Sequence, residues 1–248
     1  MNSLLAIPEI ARVTMRQLLG RRRTLLLVLL STLPILVAAL LRVGGQGTIK
    51  GFTTNVFDTL SMTILLPLVA ILFGSGAIGA EVDEGTIVYL LAKPIPRWVV
   101  IVAKALSALV VSILLTVGST ALAGLIDLSS AGSDGVLAVE AQCLAMLVGS
   151  ACYVALFLAV SLFTRRALII GIGYMLVWEG VLSFELQGIA NLSIRQYALG
   201  VTKAIYALPL EEARLSAETA FILAGVVIVV SLIVATWRLT RFELPGGD

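Results

Sequence analysis

Histidine is absent from this chain, cysteine occurs only twice, and charged residues make up just 13% of its 248 positions. The missing imidazole removes Ser-His-Asp and Cys-His nucleophile systems and His-ligated metal sites in one step, which argues against an intramembrane hydrolase built on such a group. The two thiols, Cys143 and Cys152, stand nine residues apart in one apolar run. On a helix that spacing is about 180° of rotation and about 13.5 Å of rise. A disulfide needs Cα atoms within about 7 Å, so the two read as small packing residues. Soluble domains carry about 25% charged residues, and a chain that is 59% apolar with half that charge belongs in the bilayer. Seventeen Lys and Arg against fifteen Asp and Glu leave a formal charge of +2, too balanced to point to nucleic acid as a partner. No GxxxxGK[ST] phosphate loop occurs, so an energised function needs an ATP site on another chain.

What is abundant is long apolar sequence. A spanning helix needs roughly 20 mostly apolar residues, from about 30 Å of hydrocarbon at about 1.5 Å per residue. Six stretches meet or approach that length: Leu25–Leu41, Thr59–Ala80, Ala105–Ile126, Ala141–Phe163, Ala167–Leu186 and Thr219–Trp237. The first follows Arg21, Arg22 and Arg23 and contains Pro34, but it exceeds a usual signal core and is preceded by a patterned helix, so it reads as a true span. With the N-terminus inside, twelve Lys and Arg fall in the cytoplasm and five outside, which predicts two cytoplasmic termini. Trp98 and Trp237 then fall at the inner interface, where indole rings are favoured. Before the first span, Ile7, Ile10, Ala11, Thr14, Met15 and Leu18 share one side of a helix over about residues 4–20, with Glu9, Arg12, Arg16 and Arg23 on the other. Such a helix is expected to lie in the membrane surface. The outer connections Arg42–Asp58 and Asp127–Glu140 read as glycine-containing flexible loops, and Gln187–Glu218 as an apolar segment with one or two short helices resting on the outer face. Within that last segment Asn191-Leu192-Ser193 forms a glycosylation triplet, read as unused.

The most informative stretch is the inner connection Ala80–Lys104, AEVDEGTIVYLLAKPIPRWVVIVAK. Glu81, Asp83 and Glu84 stand where the second span leaves the membrane, and Gly85 breaks that helix. Thr86 is placed to cap a short amphipathic turn of Ile87, Val88, Tyr89, Leu90 and Leu91, which Pro94 and Pro96 end before Arg97 and Trp98 restart the next helix. A solvated loop has no need of five apolar residues in a row. A short helix joined at both ends to spans converts a few Å of movement in a cytoplasmic partner into tilt of those spans.

The order of acidic cluster, Gly-Thr, paired Leu, Pro, Arg and Lys resembles the membrane subunits of type-2 ABC transporters, the ABC-2 permeases, particularly the NosY-like group. It is carried by Glu81, Glu84, Gly85, Thr86, Leu90, Leu91, Pro94, Arg97 and Lys104, with Asp83 in the same acidic cluster. The resemblance covers nearly the whole chain. It implies that the short cytoplasmic helix is a coupling helix docking into a groove on a separate ATPase. It also implies a working unit of two membrane subunits, expected as a homodimer, and two ATPase subunits that hold the ATP and Mg; no cofactor is expected in this chain. An extracytoplasmic accessory protein is compatible with it.

Two further features need a reading. Gly74, Gly76 and Gly79 satisfy GxGxxG, but inside an apolar span with no βαβ unit they indicate close helix packing, with Gly76 and Ala80 as a small-xxx-small pair. Glu179 and Glu185 lie in the outer half of the fifth run, where a carboxylate costs up to about 2.5–3.5 kcal/mol at the bilayer centre. Either could line a pathway or subunit interface, or Glu179 could be satisfied by Arg195. The resulting expectation is an all-α integral membrane protein, a single permease domain over 1–248 with an interfacial helix, six spans and a coupling segment at 80–104. Its function would be that of an ABC exporter subunit in a prokaryotic inner membrane, moving an amphipathic cargo. A gradient-driven transporter or channel would show more ionisable groups in its spans. A non-transporting scaffold that passes ATPase work to an external protein is the other alternative.

Overall fold

The computed structural model describes residues 6–20, 22–45, 48–83, 85–87, 95–128, 131–164, 166–182, 191–208 and 214–241, and the regular structure among them is helical. The surface helix α1 (Ala6–Leu19) precedes α2 (Arg22–Val43). A continuous rod follows, made of α3 (Ile49–Phe52), the more widely wound π1 (Thr53–Leu65) and α4 (Leu66–Asp83). Next come a long hairpin of α5 (Arg97–Leu128) and α6 (Gly132–Ser161), then α7 (Ala167–Gly173) passing into π2 (Tyr174–Leu182), and finally α8 (Ile194–Thr202) and α9 (Ala217–Thr240). Among the described residues five helices are long and apolar enough to cross a membrane; Ala167–Trp178 is a sixth apolar helix, but shorter.

The rod, α5 and α6 form the centre, since 61–67% of their apolar windows is buried, against 28% in α2 and 22% in α9. One face of the bundle, here the near face, holds the end of α4 beside the start of α5, where Lys104 meets Glu81. It also holds the end of α9, where the Arg238 guanidinium lies 5.4 Å from the Phe163 ring centroid. Helix α1 packs on this side through Thr14 and Leu18, with Glu9, Arg12 and Arg16 exposed. The stripe expected to dip into lipid is thus used against α5, and both described ends of the chain share the near face. At the far face Arg42, at the end of α2, donates to the carbonyl of Ile126 at 2.7 Å.

Glycine allows the central helices to approach closely. A Cβ at Gly74 would lie 3.0 Å from the Val154 carbonyl oxygen, so α4 and α6 touch there backbone to backbone. A Cβ at Gly79 would meet Ser161, and one at Gly76 would meet Leu18 of α1. The GxGxxG glycines therefore face two different helices.

The far connections differ from the sequence expectation. The loop placed at Arg42–Asp58 is mostly helix, because Thr48 caps the rod by accepting from the Gly51 amide at 3.0 Å. Of the loop placed at Asp127–Glu140, Asp127–Leu128 and Gly132–Glu140 are helical, and the Ala131 amide donates to the Leu128 carbonyl at 2.9 Å. There Gly132 takes φ +64°, and a Cβ at Gly135 would lie 2.7 Å from the Leu128 carbonyl oxygen. Helix α8 does not rest on the outer surface; every residue from Ile194 to Thr202 is buried. It fits because a Cβ at Gly149 would stand 3.4 Å from Ala198, and one at Gly200 only 2.7 Å from Ala220.

Two alanine substitutions separate packing from propensity. Gly74→Ala should lower the melting temperature in detergent, by about 1–3 kcal/mol of overpacking. Gly118→Ala, whose Cβ meets nothing within 4 Å, should leave it unchanged or raise it by up to about 1 kcal/mol of helix propensity.

Candidate functional site

At the near face, α4 ends in a turn that only glycine adopts freely: Gly85 has φ +69° and its amide bonds the Val82 carbonyl at 3.3 Å. Gly85 and Thr86 are exposed, while Ile87 is 2% exposed and belongs to the apolar core. Among the described residues, then, the turn is anchored through Ile87, with Gly85 and Thr86 facing outward. Arg97 opens α5, and Trp98 beside it is largely exposed. Glu84, Leu90, Leu91, Pro94 and Glu185 lie outside the described residues, as do the side chains of Asp83 and Glu179.

Two of the residues picked from the sequence meet directly. The Lys104 ammonium donates to Glu81 Oε1 at 2.7 Å and to the Ala77 carbonyl at 2.8 Å. Lys104 is 1% exposed and Glu81 19%, so this lysine faces α4 inside the protein. One turn further along α5, Ser107 Oγ lies 3.2 Å from the Ala11 carbonyl of α1. Glu81 Oε2 is buried and, among the described residues, has no hydrogen-bond partner, so there Lys104 is the donor to this carboxylate.

Sequence reasoning missed a second polar centre, in the far half. Arg195, at the start of α8, pairs with Asp58 of π1 at 2.6 Å, with side chains 3% and 15% exposed. Gln142 of α6 donates to Thr53 Oγ1 at 3.1 Å, and Gln196 Oε1 accepts from the Arg214 amide at 3.2 Å. Ser193 caps α8, and the Trp178 indole donates to the Leu192 carbonyl at 3.2 Å. Together these tie α8 to the rod and to π2. The available signal was Asp58 itself, a lone acid one residue before an apolar run. Among the described residues no group of three or more His, Cys, Asp or Glu could hold a metal ion.

A bundle of long apolar helices with polar ties inside defines a multi-pass helical membrane protein. The chain belongs to the ABC-2 family transporter proteins, whose family model matches residues 9–244. It is thus a permease of the ABC transporter class, a family whose membrane subunits are generally non-catalytic and associate with ABC ATPases. No curated protein matches the chain.

Removing one partner of a buried ion pair leaves an uncompensated charge, at a cost of about 3–5 kcal/mol. Asp58→Ala should therefore lower thermal stability in detergent by several kcal/mol. Asn55→Ala, at an exposed position of the same rod, should stay within about 0.5 kcal/mol.

Proposed function

We propose that the chain is the membrane half of an ATP-driven exporter, of the NosY-like kind, working as a homodimer with two ATPase subunits that hold the ATP and Mg. The observation that supports this best is the open turn at Gly85 and Thr86, rooted in the core by Ile87 and attached to α4, which the Lys104–Glu81 pair holds to α5. A partner that seats on residues 80–104 grips the ends of two central helices at once. Closure of the ATPases on ATP then tilts the rod and α5, because packed elements switch between arrangements rather than stretch. The cargo passes between the two membrane halves, and the scarcity of charge in the spans suits a lipid, drug, peptide or other amphipathic molecule. Glu179 and Glu185 are proposed to line that path or the interface between subunits. In this reading both termini are cytoplasmic, the membrane is a prokaryotic inner membrane, and an extracytoplasmic protein is a further partner.

Two measurements test the reading. In a chain lacking Cys143 and Cys152, single cysteines at the exposed far-face positions Ser133 and Ala204 should react with an impermeant thiol reagent in intact cells. Cysteines at Gly85 and Thr240 should react only after the membrane is opened; the reverse pattern would sink the orientation. An ABC ATPase should copurify with the chain. Glu84→Lys should reduce its recovery several-fold, whereas Asp134→Lys on the far face should not. Equal recovery from the two variants would remove the coupling assignment.

A further inference from the structure

Lys104 sits within the proposed coupling segment, yet its side chain is buried in this protein, so it has no surface to offer a docked ATPase. Among the described residues, both of its hydrogen bonds go to α4. The ammonium has three hydrogens to donate, and it spends two on acceptors one turn apart on α4, the Ala77 carbonyl at 2.8 Å and Glu81 Oε1 at 2.7 Å. Ser107, on the next turn of α5, reaches the Ala11 carbonyl of α1 at 3.2 Å. Helix α1 in turn lies against α4, where a Cβ at Gly76 would meet Leu18 Cδ2 at 3.5 Å. Three helices thus close on one another at the near face, and Lys104 is the charged link among them. After Ser107, the next polar tie of α5 to a neighbouring helix among the described residues, Thr116 Oγ1 with Ser150 Oγ of α6 at 3.0 Å, comes nine residues on, about 13.5 Å along the axis.

We propose that Lys104 is a positioning residue that clamps α4 to α5 at the near face, where α1 packs on both, so that displacement of the Gly85–Ile87 turn moves α5 together with α4. The proposal rests on the coupling reading above. Apolar helix contacts permit sliding by shear, whereas an ammonium bonded to both a carbonyl and a carboxylate fixes register and depth. Without it, the Glu81 carboxylate has no donor to hold it against α5, and α4 moves alone. With it, α5 tilts about its tie to α6.

The experiment uses the complex with its copurified ATPase in lipid nanodiscs, in a chain lacking Cys143 and Cys152. Spin labels are placed at Thr86 on the turn and at Leu106 on the outer side of α5, each paired with a reference label at Ile233 on α9; all three positions are exposed. Distances are read with and without a non-hydrolysable ATP analogue and Mg. In the parent complex both distances should shift. In Lys104→Met the Thr86 shift should persist while the Leu106 shift falls by at least half, and the exchanged pair Glu81→Lys with Lys104→Glu should restore it. An unchanged Leu106 shift in Lys104→Met overturns the clamp. So does loss of both shifts together with poor membrane insertion that the exchanged pair does not repair, since the lysine would then serve folding alone. Absence of any shift in the parent complex overturns the coupling reading itself, and the clamp with it.

Discussion

Hydrocarbon offers no hydrogen bonds, so the polar groups of α5 turn toward protein, and the four of them that bond there, Lys104, Ser107, Thr116 and Ser119, tie the bundle together. The helix is inverted relative to a soluble one. Leu106, Val110, Leu114, Leu122 and Leu125 are exposed, while Lys104, Ser107, Ser112, Thr116, Ser119, Thr120 and Asp127 are buried. Its inner stripe bonds α4 through Lys104, α1 through Ser107, α6 through Thr116 and α2 through Ser119, whose hydroxyl reaches the Ser31 carbonyl. From α2, Arg42 returns to the Ile126 and Asp127 carbonyls and meets the negative end of the α5 dipole. Lipid tails are as apolar as leucine and give helices no reason to associate. Directional polar ties supply the specificity that the hydrophobic effect supplies in water.

Close packing adds the second constraint. Where no polar tie is available the chain uses glycine, as at Gly74 against the Val154 backbone and at Gly149, where a Cβ would lie 2.7 Å from Leu66 and 3.4 Å from Ala198. At Gly149 the rod, α6 and α8 converge on a single residue that has no side chain. This is why α8 can be buried along its whole length despite carrying Arg195, Gln196 and Tyr197. Its polar groups find Asp58, the Arg214 amide and the Asn191 carbonyl, and its small residues find helix surfaces.

The same two devices explain what the sequence made legible. Hydropathy located the apolar runs because a stretch such as Leu25–Leu41 leaves no alternative to burial in lipid, and the stripe of Ile10, Thr14 and Leu18 on α1 is a local property of one helix. Far connections were misread because glycine carries two meanings. At Gly45 it marks a turn with φ +70°, whereas at Gly135 it marks a hairpin packed too closely for a side chain. Nothing local distinguishes those uses; the neighbouring helix decides. Lys104 was visible as a charge beside a span, but its meaning depends on Glu81, which stands across the whole coupling segment. Asp58 and Arg195 are farther apart still, and no periodicity within either element announces the other.

The acids of the two ion pairs found among the described residues belong to the same rod. Asp58 sits in its far part and is held by α8, and Glu81 sits at its near end and is held by α5. Between them the rod packs closely on α6, backbone to backbone at Gly74 and through Leu66 against Gly149. In the proposed coupling, an element pinned by charge at two depths and close-packed between them would respond to a push at one end by tilting as a whole, since bending would strain that packing. Tilt at the near end would then reach the Asp58–Arg195 pair, and through it α8. The ion pairs matter less for net stability, where desolvation offsets much of their attraction, than for which helices must move together. In the proposed coupling to external ATPases, that selection of moving parts is what the buried charges would provide.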